Sequence, residues 1–98
     1  MSDQAERPEP LHVFLSDAAT QILAGLRPGE LDAVEKLLER LAVHPRLGIP
    51  VPGGTDPEVD DYTAGTDPAA DTGDRISVVY RLHEGMKSVF VTWIIAGP

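Results

Sequence analysis

Asp74-Arg-Ile-Ser-Val-Val-Tyr-Arg-Leu82 and Lys87-Ser-Val-Phe-Val-Thr-Trp-Ile-Ile95 are the stretches whose reading decides the fold. In the first, Ile76, Val78, Tyr80 and Leu82 fall on one face of an extended chain and Arg75, Ser77, Val79 and Arg81 on the other. In the second, simple alternation puts Val89, Val91, Trp93 and Ile95 on one face and Phe90 and Ile94 on the other. Its β-branched and aromatic content suits a largely buried pleated position. His83-Glu84-Gly85-Met86 joins the two and supplies a glycine for a short reversal. The pair reads as an antiparallel hairpin at the centre of a sheet.

Working outward, 98 residues with 42% apolar content make one domain with a single modest core. There is no cysteine, so disulfides, thiolate metal sites and cysteine nucleophiles are excluded. No apolar run approaches the roughly 20 residues of a membrane span, and the acidic, proline-bearing residues 1–10 do not resemble a secretory signal. A cytoplasmic protein without membrane contact is the expectation, with residues 1–10 a disordered leader and 11–98 the domain.

The formal charge of −8 is unevenly spread. Residues 45–74 carry seven acids against Arg46, whereas residues 75–98 carry Arg75, Arg81 and Lys87 against Glu84. An acidic chain is poorly suited to nucleic acid, whose affinity comes from neutralising phosphates with Lys and Arg, and only the C-terminal hairpin escapes that objection.

Leu11 to Leu15 alternates as a short strand. Ser16 then caps a helix running through Ala18, Ala19, Ile22, Leu23 and Leu26, with Asp17 at the favourable end of its dipole. Leu31, Val34, Leu37, Leu38, Leu41 and Ala42 form the apolar stripe of a second helix, which ends at His44-Pro45. The result is an αα-hairpin turning at Arg27-Pro28-Gly29. Pro45 to Asp74 reads as a long acidic loop in which Val59 to Thr63 can form a ragged edge strand beside the hairpin. With so little apolar surface, Gly53 to Asp74 is expected to be mobile, and its charge suits a basic protein partner. The expected core is Leu11, Val13, Leu15, Ile22, Leu26, Val34, Leu37, Leu38, Leu41, Val78, Tyr80, Val91 and Trp93.

This order of elements resembles the RelE/ParE superfamily of toxins from bacterial toxin–antitoxin systems. The resemblance rests on Ala18, Ala19 and Leu26 in the first helix, Leu38-x-x-Leu41 followed by Pro45-x-x-Gly48, and Val79-Tyr80-Arg81 in the penultimate strand. It implies an α+β fold, β-α-α-β-β-β, with a small antiparallel twisted sheet and the N-terminal two-helix hairpin packed on one face. The partners it implies are an antitoxin, and the ribosome or mRNA at the sheet's other face. Ribosome-dependent members bind and cut RNA there with cationic and acid/base side chains around the scissile phosphate. Carried over, Arg75 and Arg81 match basic positions of the family. The last strand, however, lacks the usual Arg or Lys cluster, which points to a degenerate mRNA interferase. The alternative is a non-catalytic protein-interaction module on the same fold.

The catalytic candidates are therefore Arg75, Arg81 and His83. The arginines share a strand face and can reach a phosphate, or simply neutralise the acidic tract. His83 can act as acid or base near neutral pH, or stand solvated at the turn. His12 shares its face with Phe14, away from Leu11, Val13 and Leu15, and is read as structural. Tyr62 and Trp93 can stack on a base or fill the core. No cofactor motif is present. Asp56, Glu58, Asp60 and Asp61 lack the frame of a calcium loop, so no metal is expected.

Overall fold

A computed structural model describes residues 10–51 and 59–96. The elements are β1 (His12–Leu15), α1 (Asp17–Ala24), α2 (Pro28–Val43), β2 (Ile49–Pro50), β3 (Val59–Gly65), β4 (Ser77–His83), a 3-10 turn (Glu84–Met86) and β5 (Ser88–Ile95). One sheet holds all five strands in the order β1-β5-β4-β3-β2. The α+β class and the N-terminal helix pair agree with the sequence reading. The all-antiparallel expectation needs correction, because β1 runs parallel to β5 while the other pairs are antiparallel. Parallel neighbours need an intervening crossover, and the helix pair with the remaining strands provides it.

Ser16 accepts from the Ala19 N–H at 3.0 Å through its Oγ, as an N-cap does, and Asp17 sits in the first turn of α1. The same hydroxyl donates to the Thr92 carbonyl of β5 at 2.9 Å, so one side chain starts the helix and pins it to the sheet. α2 opens with Pro28 in its first turn, where the missing N–H costs nothing, and the Glu30 carboxylate accepts from the Arg27 N–H at 3.0 Å. Val34, Leu37 and Leu41 of α2 are fully buried with Ala19 of α1 against Val78, Tyr80, Leu82, Val89, Val91 and Ile94 of the sheet. Leu11, Val13, Leu15, Ile22, Leu26 and Leu38 pack around this cluster, half-buried.

Trp93 does not belong to the core. It is 50% exposed, whereas Ile94 is 2% exposed. The cause is a β-bulge: Val79 lies opposite Trp93 but Tyr80 lies opposite Val91, leaving Thr92 as an extra residue. Alternation restarts beyond it, so Val89, Val91 and Ile94 face the helices while Phe90, Trp93 and Ile95 face away.

The acidic tract is built into the fold. Its strand β3 pairs with β4 over seven residues, with Tyr62 and Ala64 buried, and only the two-residue β2 lies outside it. Tyr62 stacks on Tyr80 with ring centroids 5.4 Å apart. Beyond the strand, Thr66 accepts from the Ile76 N–H at 3.0 Å, and Asp71 accepts from the Gly29 N–H at 2.9 Å at the start of α2. Buried Tyr62, Ala64, Thr66 and Ala69 therefore replace the expectation of a mobile arm over residues 59–74. The expectations for residues 1–9 and for Gly53 to Glu58 lie outside the described residues. Among the described residues, no helix is long and apolar enough to cross a membrane.

Candidate functional site: the open sheet face

The helices cover one face of the sheet, and the pleat sends alternate residues of every strand to the other. Register lays out this open face as rows. Across the turn end of the hairpin run His12, Ser88 and His83. The next row is Phe14, Phe90, Arg81 and Asp61. Trp93, Val79, Thr63 and Ile49 follow, and then Ile95, Ser77 and Gly65. Phe14, Phe90, Trp93 and Ile95 are 54%, 40%, 50% and 51% exposed, an apolar and aromatic surface where most small domains present polar groups.

The candidate catalytic residues are dispersed over this surface. Arg81 lies near its middle, but its Nε donates to Asp61 Oδ1 at 2.9 Å. That partner half-neutralises the guanidinium and occupies a donor that a phosphate would need. Arg75 precedes β4 and stands six residues from Arg81, about 20 Å in extended chain. It lines a separate groove at the β2–β3 edge with Arg40, Thr63 and Thr66. Arg75 thus lines the β2–β3 edge while Arg81 sits in the row with Phe90 and Asp61.

His83 closes β4 opposite Ser88, and its Nδ1 is buried without a hydrogen-bond partner among the described residues. Ser88 is 8% exposed between the two histidine positions, and the His12 ring lies 6.2 Å from that of Phe14. Among the described residues no three His, Asp or Glu side chains gather as a metal site.

At the hairpin turn, Arg46 ties three elements together. It donates to the Tyr62 hydroxyl at 2.9 Å, pairs with Glu84 and lies 3.8 Å from Asp60. The hydrogen bond that Arg46 donates to the Glu84 carboxylate, with that group's negative charge, raises the guanidinium pKa above the ordinary value. Tyr80 accepts from the Gly48 N–H at 3.0 Å and donates to the Pro45 carbonyl at 2.7 Å, and burial raises its phenol pKa. These groups brace the site from behind.

Sequence reasoning placed Phe14 with His12 away from the core and Phe90 opposite Val89 and Val91, as observed, but Trp93 was concealed by a bulge that no alternation pattern displays.

No protein-family model matches the sequence, and no curated protein matches it significantly. Solved structures do match. The archaeal RelE–RelB complex from Pyrococcus horikoshii OT3 superposes with a TM-score of 0.67 at 15% identity, covering 89% of this chain and 94% of that one. The RelBE2 toxin–antitoxin complex of Mycobacterium tuberculosis gives 0.66 at 20% identity over 91% and 93% of the two chains. A mutant Escherichia coli RelE toxin in the free state gives 0.66 at 16% identity over 87% and 81%. With two helices on one face of a five-stranded sheet, matched over nearly its whole length in each case, the chain has the RelE-like toxin fold.

Proposed function

We propose that the protein is the toxin-type half of a toxin–antitoxin pair, and that its open sheet face works by binding an RNA or ribosomal surface with little or no cleavage. The observation that supports this reading is the make-up of the face: three exposed aromatics, two histidines and one cation, Arg81, already paired with Asp61. Phe14, Phe90 and Trp93 can stack on splayed bases, where each stack contributes about 1–3 kcal/mol. Cleavage requires cationic groups converging on the phosphorane charge, and Arg75 and Arg81 stand too far apart to share it. An antitoxin is the expected protein partner, as the similar RelE chains are seen with RelB.

The second reading, a non-catalytic module that binds a basic protein, is favoured by the chain's charge of −8. Induction in a bacterial host, followed by mapping of mRNA ends on translating ribosomes, separates the readings. Growth arrest without codon-linked cuts, relieved in the Phe14→Ser, Trp93→Ser double variant, is the expected result. Robust cuts lost in Arg81→Ala would restore a full interferase, and unaltered growth would favour the protein-binding module.

A further inference from the structure

The open face differs in charge from the rest of the chain. Among the described residues the five strands hold two acids, Asp60 and Asp61, and, histidines apart, one cation, Arg81. Asp60 alternates to the helix side, 3.8 Å from Arg46, while Asp61 and Arg81 pair with each other at 2.9 Å. The other fourteen of the sixteen acids lie outside these strands, so the charge of −8 is borne elsewhere on the chain. What the face does expose is apolar: Phe14, Phe90, Trp93 and Ile95, with Ile49 72% exposed toward its β2 side. Apolar area concentrated in this way marks a surface that a partner covers.

We propose that two copies of the chain close over one another by this face, holding it in a symmetric dimer until a target competes for it. Charge and area select a second copy as the occupant. A strongly charged protein partner, acidic or basic, finds no free counter-charge on the strands, because Arg81 and Asp61 already satisfy each other. An identical face meets it with the same aromatic, uncharged surface, and closure leaves Arg81 with its partner. Two sheets packed in this way stand about 10 Å apart, and rings of one copy can stack in offset fashion on those of the other. The paired strands cover roughly 450 Å² in plan, and side chains standing on them add to it, so two copies bury on the order of 1,000 Å². That is the lower bound for a specific interface and the range of reversible association, which a target can displace by mass action. That the dimer hides the working surface rests on the RNA-binding reading above; the dimer itself does not.

Sedimentation equilibrium of the full chain, over a micromolar to millimolar series, should show one chain giving way to two. Trp93 is the single tryptophan, so its emission should shift to the blue and resist quenching at the dimer end, a readout that needs no variant. Added salt should strengthen the dimer, because it screens the repulsion between two chains of charge −8. Trp93→Lys puts an unpaired charge into the interface and should weaken association about tenfold or more. The thermal transition should stay, since the residue is 50% exposed. Mixing Trp93→Lys with Trp93→Glu should restore the dimer, and Val43→Lys, exposed at the end of α2, should leave it unchanged. An unstructured oligoribonucleotide should return the dimer to single chains. A dimer that ignores the oligonucleotide would uphold the inference and sink the RNA reading, and RNA binding by a chain monomeric throughout would do the reverse. Constant mass and Trp93 emission across the series, a dimer that strengthens as salt is removed, or one broken by Val43→Lys and not by Trp93→Lys would each overturn the inference.

Discussion

Tyr80 holds three parts of the molecule together with one hydroxyl. Its ring is fully buried against Tyr62, while its oxygen takes the Gly48 N–H and gives its proton to Pro45, anchoring the turn that leaves α2. A Cβ on Gly48 would lie 2.8 Å from that oxygen and 2.7 Å from the Thr63 carbonyl, so the close approach requires glycine. Tyr80→Phe should cost about 1–3 kcal/mol in denaturant unfolding, since the Gly48 N–H loses its acceptor. The phenol also sets an alkaline limit. Burial raises its folded pKa above 10.0, so the unfolded chain releases the proton first, and stability that is complete below pH 10 falls as pH rises beyond it. In Tyr80→Phe that part of the alkaline decline should flatten; an unchanged slope would show that the hydroxyl ionises freely in the native state. Side-chain placement yields a second contrast. Leu37→Ala, at a fully buried position, should cost about 2–5 kcal/mol by cavity formation. Trp93→Ala, on the open face, should cost much less, and a loss as large as that for Leu37→Ala would return Trp93 to the core.

At the scale of elements, the start of α2 depends on residues from the far side of the acidic tract. Asp71 Oδ2 accepts from the Gly29 N–H at 2.9 Å, and Thr72 Oγ1 donates to Glu30 at 3.2 Å. Asp71 satisfies an orphan donor at the positive end of the helix, where negative charge is favoured, and Thr72 steadies the Glu30 carboxylate beside it. Asp71→Ala should therefore cost about 0.5–2 kcal/mol, the range for losing a helix cap. Gly29→Ala should cause a similar loss that does not add to it, because the new Cβ would stand 2.3 Å from the Asp71 carboxylate oxygen and displace it. A double-mutant cycle with fully additive losses would separate the two residues. The composition of residues 45–74 read as acid in excess, yet particular acids there serve the fold: Asp71 caps a helix and Asp61 pairs with Arg81. The start of α1 at Ser16 was legible because its chemistry is local, whereas Pro28 and Gly29, read as part of the turn between the helices, are the first residues of α2. The Asp71 cap and the Thr72–Glu30 hydrogen bond were not legible, since they act across 42 residues.

Taken whole, the molecule covers one face of its sheet with helices and leaves the other open, with Phe14, Phe90 and Trp93 exposed on it. If the open face is the working surface, replacing Phe14, Phe90 and Trp93 with serine should abolish any growth arrest while leaving the thermal transition largely in place, since all three are substantially exposed. Loss of folding would show that the rings are structural.

The sequence by itself determined the local chemistry: the strand alternation of Ile76 to Leu82, the apolar stripe of Val34, Leu37 and Leu41, and the Ser16 cap, each set by neighbours within one or two turns. It also brought the RelE-like order of elements into view. Tertiary structure alone decided where Trp93 points, because the extra residue Thr92 reverses the pleat and becomes defined only when β4 pairs with β5. It likewise decided that β1 lies parallel to β5 and that Tyr62 makes the acidic tract part of the core. Pairing register and cross-chain contacts are properties of two segments at once, and neither segment read alone contains them.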